Sequence, residues 1–366
     1  MDLFTPIRVG RFELPHRIVM APMARARSGL DRAPTPMVAD YYAQRAAAAL
    51  IVTEASTVSP LSVSRPHASG EYLAVHRAGW QLVTEKVHAK GGRIFQQLYH
   101  LGRKADPSRM PDGQQPVAPS AVAAKGQVAG LNGPVEFAVP RPLATREIAG
   151  VVAEFRAAAI LARDAGMDGI EIHGANGYLI DQFLRDGCNR RDDRYGGSVA
   201  NRARFLLEIA DAVIGVFGAD RVGVRLSPHA RGDGLVDSDP AALYAHVAAA
   251  LAERRIAYLH LVEAMAPGLP QSPGAEGAQL AVVRRAFPGP LIVNGGYTRE
   301  NADAVIASCA ADLVAFGALF IANPDLVERF RRHAPFNKPD PSSFHNGGAE
   351  GYIDYPTLDQ AMAADD

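Results

Sequence analysis

The sequence predicts an α/β protein: an eight-stranded parallel β/α (TIM) barrel with an N-terminal hairpin and a long capping loop after the third strand. Three observations carry this expectation. Short apolar runs alternate with Ala-rich amphipathic stretches eight times along the chain. The length, 366 residues, suits one barrel with insertions. No G-x-G-x-x-G follows the first strand-like run, as an open dinucleotide-binding sheet would require.

Taken in order, residues 4–15 (FTPIRVGRFELP) alternate around Gly10 and read as a hairpin closing the barrel bottom. Apolar, partly β-branched runs give strands at 18–21, 49–53, 93–98, 169–172, 222–226, 258–261, 291–293 and 313–316. Helical patterns lie between and after them at 36–45, 79–90, 146–165, 201–216, 240–254, 277–286, 299–308 and 324–332. Thr145, Ser198, Asp239 and Asn323 are capping residues ahead of several of these. Residues 103–144 form a connection rich in Pro, Gly and Ala, too long for a plain turn and expected to cap the mouth. The tail 335–366 reads as a surface segment, with AEGYIDYP tying part of it down. The whole chain, 1–366, is expected to be one domain.

Composition narrows the function. Hydrophobic residues make up 48% and charged residues 21%, ordinary for a soluble globular protein. A net charge of −1 gives no electrostatic case for nucleic acid or an anionic membrane. The two cysteines, Cys188 and Cys309, form no CxxC pattern, so no iron–sulfur cluster, zinc site or disulfide is expected, and no metal. No signal core or membrane-length apolar run is found, which makes a cytoplasmic protein the expectation.

The stretch HGANGYLIDQFL, 173–184, follows the fourth strand and opens into the Gly-, Asp- and Arg-rich 185–198. It therefore projects His173, Asn176 and Tyr178 from one strand terminus. His173 and Asn176 are close enough to converge on one acceptor atom, and Tyr178 brings a phenol that can donate a proton. Each also has a structural reading, as a hydrogen-bonding group at a strand end.

This stretch, with NRRDDRYGGSVANRARF after it, resembles the Old Yellow Enzyme family of FMN-dependent ene-reductases. The resemblance extends through APMARAR (21–27), TEAS (53–56), QQLYHLGR (96–103), VRLSP (224–228), NGGYT (294–298), FIANPDL (320–326) and AEGYIDYPTL (349–358). It implies bound FMN and NADPH or NADH as diffusible hydride donor. It also implies small electron-poor alkenes as substrates, and a monomer or homodimer.

On that resemblance, Arg225 and Gln97 face the flavin pyrimidine edge, with Arg225 balancing negative charge near N1. A buried Arg needs an anion; the structural alternative is an ion pair with Glu171. Ala21, Pro22, Met23 and Ala55 form the apolar bed. Gly295, Gly296 and Gly317 let backbone N–H groups approach the phosphate. Tyr99 lines the substrate pocket. Three positions depart from the family pattern: Ala24 stands where Thr donates to flavin O4, Ala318 where Arg pairs the phosphate, and His345, after Phe344, where Tyr lines the substrate pocket. His173 and Asn176 are implied as donors to the substrate oxygen and Tyr178 as proton donor. Two other classes compete: a barrel lyase or isomerase using His173 as base, and a flavin-binding barrel with weak turnover. Glu54 and Glu263 are single carboxylates and read as structural.

Overall fold

The computed structural model describes residues 1–130, 133–230, 232–263 and 278–365. The first residue of the expected helix 277–286, two residues of the expected capping loop and the last residue of the tail lie outside them. Eight strands run parallel: β1 (Ile18–Met20), β2 (Leu50–Val52), β3 (Ile94–Tyr99), β4 (Gly169–Gly174), β5 (Val222–Leu226), β6 (Tyr258–Val262), β7 (Leu291–Asn294) and β8 (Leu313–Phe316). Each pairs with the next, and β8 returns to β1 through Val314 opposite Ile18, so the barrel closes. The strands are apolar along most of their length because both faces are covered.

The outer ring comprises α1 (Pro36–Gln44), α2 (Ala74–His88), α3 (Thr145–Asp164), α4 (Val199–Phe217), α5 (Pro240–Glu253), α6 (Ala278–Ala286), α7 (Arg299–Ala307) and α8 (Leu326–Arg332). In α4, Phe205, Leu206, Ile209 and Val213 recur at helical spacing and are buried against the sheet, while Ser198 caps the first turn by accepting from the Asn201 N–H.

Three differences from the expected elements have identifiable causes. Helix α2 starts five residues early. It has no Ser, Thr, Asp or Asn cap; the His76 ring, through Nδ1, accepts from the Tyr72 and Leu73 N–H groups instead. Gly79, which reads as a helix start, lies inside α2 because a Cβ there would come 2.7 Å from Pro34. Three helices, Leu179–Leu184, Ala318–Ala322 and, in the tail, Leu358–Asp365, were not foreseen. The connection 103–144 is not structureless: Val117–Ala118 pairs with Arg141–Pro142, and Gln127–Gly130 pairs with Gly133–Glu136.

The hairpin pairs Ile7–Val9 with Phe12–Leu14. Val9 and Leu14 join Val19, Leu50, Phe95 and Leu313 in one apolar cluster, which seats the hairpin against the amino ends of the strands. Gly10 turns it at φ +55°, where a Cβ would lie 1.9 Å from the Asp220 carbonyl oxygen. At the other end of the chain, Tyr352 is fully buried and stacks on Tyr41 at 4.2 Å and 7°. Arg25 and Arg27 lie over the Tyr352 ring, 5.0 and 4.4 Å from its centroid, so the tail is clamped where the sequence suggested.

Glu71 is buried between β3 and α2, with Gln96 Nε2 donating to its Oε2 (2.8 Å). Burial pushes its carboxyl up to about 8 against a single opposing hydrogen bond. A raised pKa means the folded state holds the proton more tightly. The stabilisation is complete below the unfolded value and is lost as pH climbs through about 8. We expect Glu71→Gln to raise Tm relative to the parent at pH 9 by removing a buried charge worth on the order of a few kcal/mol. Melting curves that run parallel from pH 5 to pH 9 would remove Glu71 as the cause.

Candidate active site

The carboxyl ends of the strands form the mouth of the barrel, where such folds do chemistry. Pro22, Met23 and Ala24 follow β1, Ala55 follows β2, Gly295 and Gly296 follow β7, and Gly317 and Ala318 follow β8. All eight retain solvent exposure at this rim, while Ala21 is buried beneath it. The turn after β1 is held from below by Glu54. Its Oε2 accepts from the Arg25 and Ala26 N–H groups at 3.0 and 3.1 Å, which gives the single carboxylate its structural task. The tail meets the same turn. Arg25 Nε donates to the Phe344 carbonyl oxygen (2.9 Å), and the His345 ring hydrogen-bonds to the Ala24 backbone.

His173 lies on β4 itself and is almost completely buried. The Ala175 N–H donates to its Nδ1 (3.3 Å), so in the neutral ring the hydrogen sits on Nε2, which is a donor. Burial first, then the charges of Arg225, His260 and Lys104, hold its pKa well below the ordinary value. The imidazole is neutral at neutral pH. Asn176 adopts φ +59°, a left-handed conformation that Asn tolerates better than most residues. Its N–H donates to Ser227 Oγ (2.8 Å), and its carbonyl oxygen accepts from Lys104 Nζ (3.0 Å). Its side-chain Oδ1, an acceptor, is buried without a partner. Tyr178 precedes the short helix Leu179–Leu184. Its ring centroid lies 5.0 Å from His173 and 5.3 Å from Tyr99, with near-perpendicular planes, and Tyr99 lies 6.2 Å from His173. The three rings make one wall.

Arg225, on β5 opposite His173, is buried. Nη2 donates to Asn294 Oδ1 (2.8 Å), while Nε has no partner. The direct ion pair with Glu171 weighed as an alternative is not formed; Glu171 acts on Arg225 only through space. A cation with an unspent donor at a barrel mouth suits an anionic ligand. Gln97 Nε2 donates to Glu171 Oε1 (2.7 Å), so part of its amide is already committed inward. Gly295 and Gly296 take φ of +149° and +76°, and a Cβ at Gly296 would meet nothing within 4 Å. At Gly317 a Cβ would meet only the Met23 side chain, at 3.4 Å. This open glycine cradle fits a phosphate. Near this cradle, Arg299 Nε faces Asp303 (3.8 Å) and its guanidinium lies 5.9 Å from the Phe4 ring, while its Nη1 is buried without a partner.

Sequence reasoning missed His260, Tyr258, Asn294 and Lys104. The first two were findable, because Tyr258 and His260 sit two apart in YLHLV, the period that points both into a barrel. Lys104 and Asp233, which form an ion pair beside Asn176, come from loops far apart in sequence and carried no signal.

A closed β/α barrel with a buried cation and a glycine cradle at its carboxyl end is the architecture of a barrel flavoprotein. Residues 2–337 match the model of the NADH:flavin oxidoreductase / NADH oxidase family. The chain belongs to that family, the Old Yellow Enzymes, and is an FMN-dependent oxidoreductase that uses a nicotinamide hydride donor. It is 42% identical over 368 residues to the putative 12-oxophytodienoate reductase 3 of Oryza sativa subsp. japonica, covering 98% of this chain and 94% of that protein. The structure of a morphinone reductase superimposes with a TM-score of 0.93 at 46% identity, covering 98% of this chain and 97% of that one. The Old Yellow Enzyme homologue from Zymomonas mobilis gives 0.93 at 40% identity, covering 98% and 100%. No helix among the described residues is long and apolar enough to cross a membrane.

Proposed function

We propose that this oxidoreductase reduces activated alkenes, α,β-unsaturated carbonyl compounds and nitroalkenes, at the expense of NADPH or NADH. The observation that carries the reading is the neutral His173, its Nε2 hydrogen fixed by the Ala175 N–H, with the Tyr178 ring 5.0 Å away and Asn176 on the turn between them. Relatives named for the reduction of 12-oxophytodienoate and of morphinone support it.

FMN, when bound, supplies the two-electron hydride chemistry. Ala21, Pro22, Met23, Ala24 and Ala55 would form its bed, with Arg225 and Gln97 at the pyrimidine edge, Gly295, Gly296 and Gly317 at the phosphate, and Phe344 on the tail side. His173 and Asn176 donate to the carbonyl or nitro oxygen and stabilise the charge that develops there as the β-carbon is attacked. Tyr178 holds the proton delivered to the α-carbon. Tyr99 and His345 wall the pocket. Lys104 borders the mouth and bridges the Asn176 carbonyl and Asp233. Anaerobic mixing of NADPH-reduced holoenzyme with 2-cyclohexenone tests the reading. Reappearance of the oxidised flavin spectrum is expected, and a flavin that stays reduced rejects it.

Position 318 offers the phosphate end no side-chain cation. We expect Ala318→Arg to tighten FMN binding about ten- to a hundredfold, the worth of one charge-assisted hydrogen bond of roughly 1.5–3 kcal/mol. Ala318 is exposed at the rim, so the longer side chain has room. Fluorescence titration of apoprotein with FMN measures this. Equal affinity in both proteins rejects the assignment of the cradle.

A further inference from the structure

One layer below His173, the barrel interior holds a polar cluster without a task so far. Glu171, on β4, receives hydrogen bonds from Gln97 Nε2 (2.7 Å), Tyr258 Oη (3.1 Å) and His260 Nδ1 (2.9 Å). Register makes this possible: Gln97 and Gly223 flank Glu171, and Arg225 lies between His173 and His260. A Cβ at Gly223 would meet the Tyr258 ring at 2.2 Å, so glycine there gives the phenol its path to the carboxylate.

The groups facing His260 are few. Glu171 and His173 come from β4, Arg225 from β5 and Tyr258 from its own strand. On β7 its register neighbour is Ile292, and the far strands present Val19, Leu50, Val52 and Ala315, all apolar. Its Nδ1 hydrogen is given to Glu171, so Nε2 is a bare lone pair, buried and without a partner. Burial lowers the pKa of the ring, Glu171 raises it and Arg225 lowers it again, leaving it below the ordinary value and the ring neutral. Arg225 and Glu171 then cancel, and the cluster has no net charge. Reduction of a flavin seated on Arg225 adds one negative charge beside that guanidinium. Its repulsion of a proton on His260 is offset, and Nε2 becomes available as a base.

We propose that His260 takes up one proton on Nε2 when the bound flavin is reduced and releases it on reoxidation, so that the His260–Glu171 pair sets the flavin potential. Two electrons and one proton arrive together as hydride from the dihydronicotinamide; the second proton comes from solvent and resides on His260. His260 acts through Arg225 and Glu171 and is a positioning residue. The proposal rests on the reading that Arg225 faces the flavin.

The midpoint potential of the holoenzyme, followed from about pH 6 to pH 9, tests it. One proton per two electrons lowers the potential by about 30 mV per pH unit, and two lower it by about 59 mV. The parent protein should show the steeper slope above the lowered pKa of His260. His260→Gln should keep about 30 mV throughout. A parent slope of about 30 mV, or an unchanged steep slope in His260→Gln, overturns the proposal. If His260→Gln does not retain FMN, the parent alone decides. One equivalent of NADH in weak buffer should draw protons from solution while the reduced flavin shows its anionic spectrum. No uptake, or uptake with a neutral spectrum, overturns the proposal. Arg225→Gln separates the two levels of inference. A potential at least about 30 mV lower, a tenfold change for this couple, supports the seating of the flavin. An unchanged potential overturns that seating and the proposal with it; a lowered potential with a steep slope in His260→Gln overturns only the role of His260.

Discussion

Replacing His173 with Ala is expected to lower turnover of 2-cyclohexenone by about 10²–10³-fold, while reduction of the flavin by NADPH slows far less. The asymmetry follows from where the donor acts. On the proposed reading, the Nε2 hydrogen serves an oxygen that gains charge only as the alkene accepts hydride. Because burial keeps the ring neutral, the parent's alkene step should show no His173 titration from about pH 6.5 upward. Asn176 is best tested by Gly rather than Ala, since φ +59° strains Ala and mixes a backbone cost with the loss of the amide. Stopped-flow measurement of the two half-reactions separates the effects. Equal losses in both would make His173 structural.

The barrel was legible because parallel strands buried on both faces are short, apolar and evenly spaced, and because helices such as α4 keep a strict apolar stripe. The start of α2 was not, since a His76 side chain closes its first turn in place of a small capping residue. Strand ends moved by a residue or two, and one such shift matters: β4 runs through His173 to Gly174, so His173 stands on the sheet rather than in the loop. That gives it the fixed backbone a positioned donor needs. The motif 173–178 was legible because its three side chains are neighbours in sequence. The interior cluster was not, because Gln97, Glu171 and His260 are separated by 74 and 89 residues and meet only through register. Arg225 lay between the two cases. Its cost if unpaired pointed to an anion, the flavin by resemblance, with an ion pair to Glu171 as the structural alternative. The structure instead gives Glu171 three other donors and leaves Arg225 Nε unpaired.

Tyr178→Phe is expected to slow reduction of 2-cyclohexenone by about 10²–10⁴-fold, the usual worth of a positioned general acid. The ring itself should stay where it is. Its edge packs against His173 at 88° and Tyr99 at 74°, its N–H donates to the Ala175 carbonyl oxygen (3.3 Å), and its carbonyl oxygen accepts from the Gln182 N–H (2.8 Å). None of these uses the hydroxyl, so Phe preserves the wall and removes only the proton. Flavin reduction by NADPH should therefore be unchanged, as should the affinity for a phenolic ligand held by His173 and Asn176. Substrate chemistry supplies an internal control. A nitroalkene that has accepted hydride is a stable nitronate, which can leave and be protonated in water, whereas the enolate from an enone is far more basic and needs a donor at hand. The variant should lose much more activity on the enone than on the nitroalkene, with both followed anaerobically by reoxidation of the same reduced preparation. Loss on both substrates to the same degree would mean that Tyr178 orders the pocket. Wild-type rates on the enone would mean that the proton comes from water or from another side chain at the mouth.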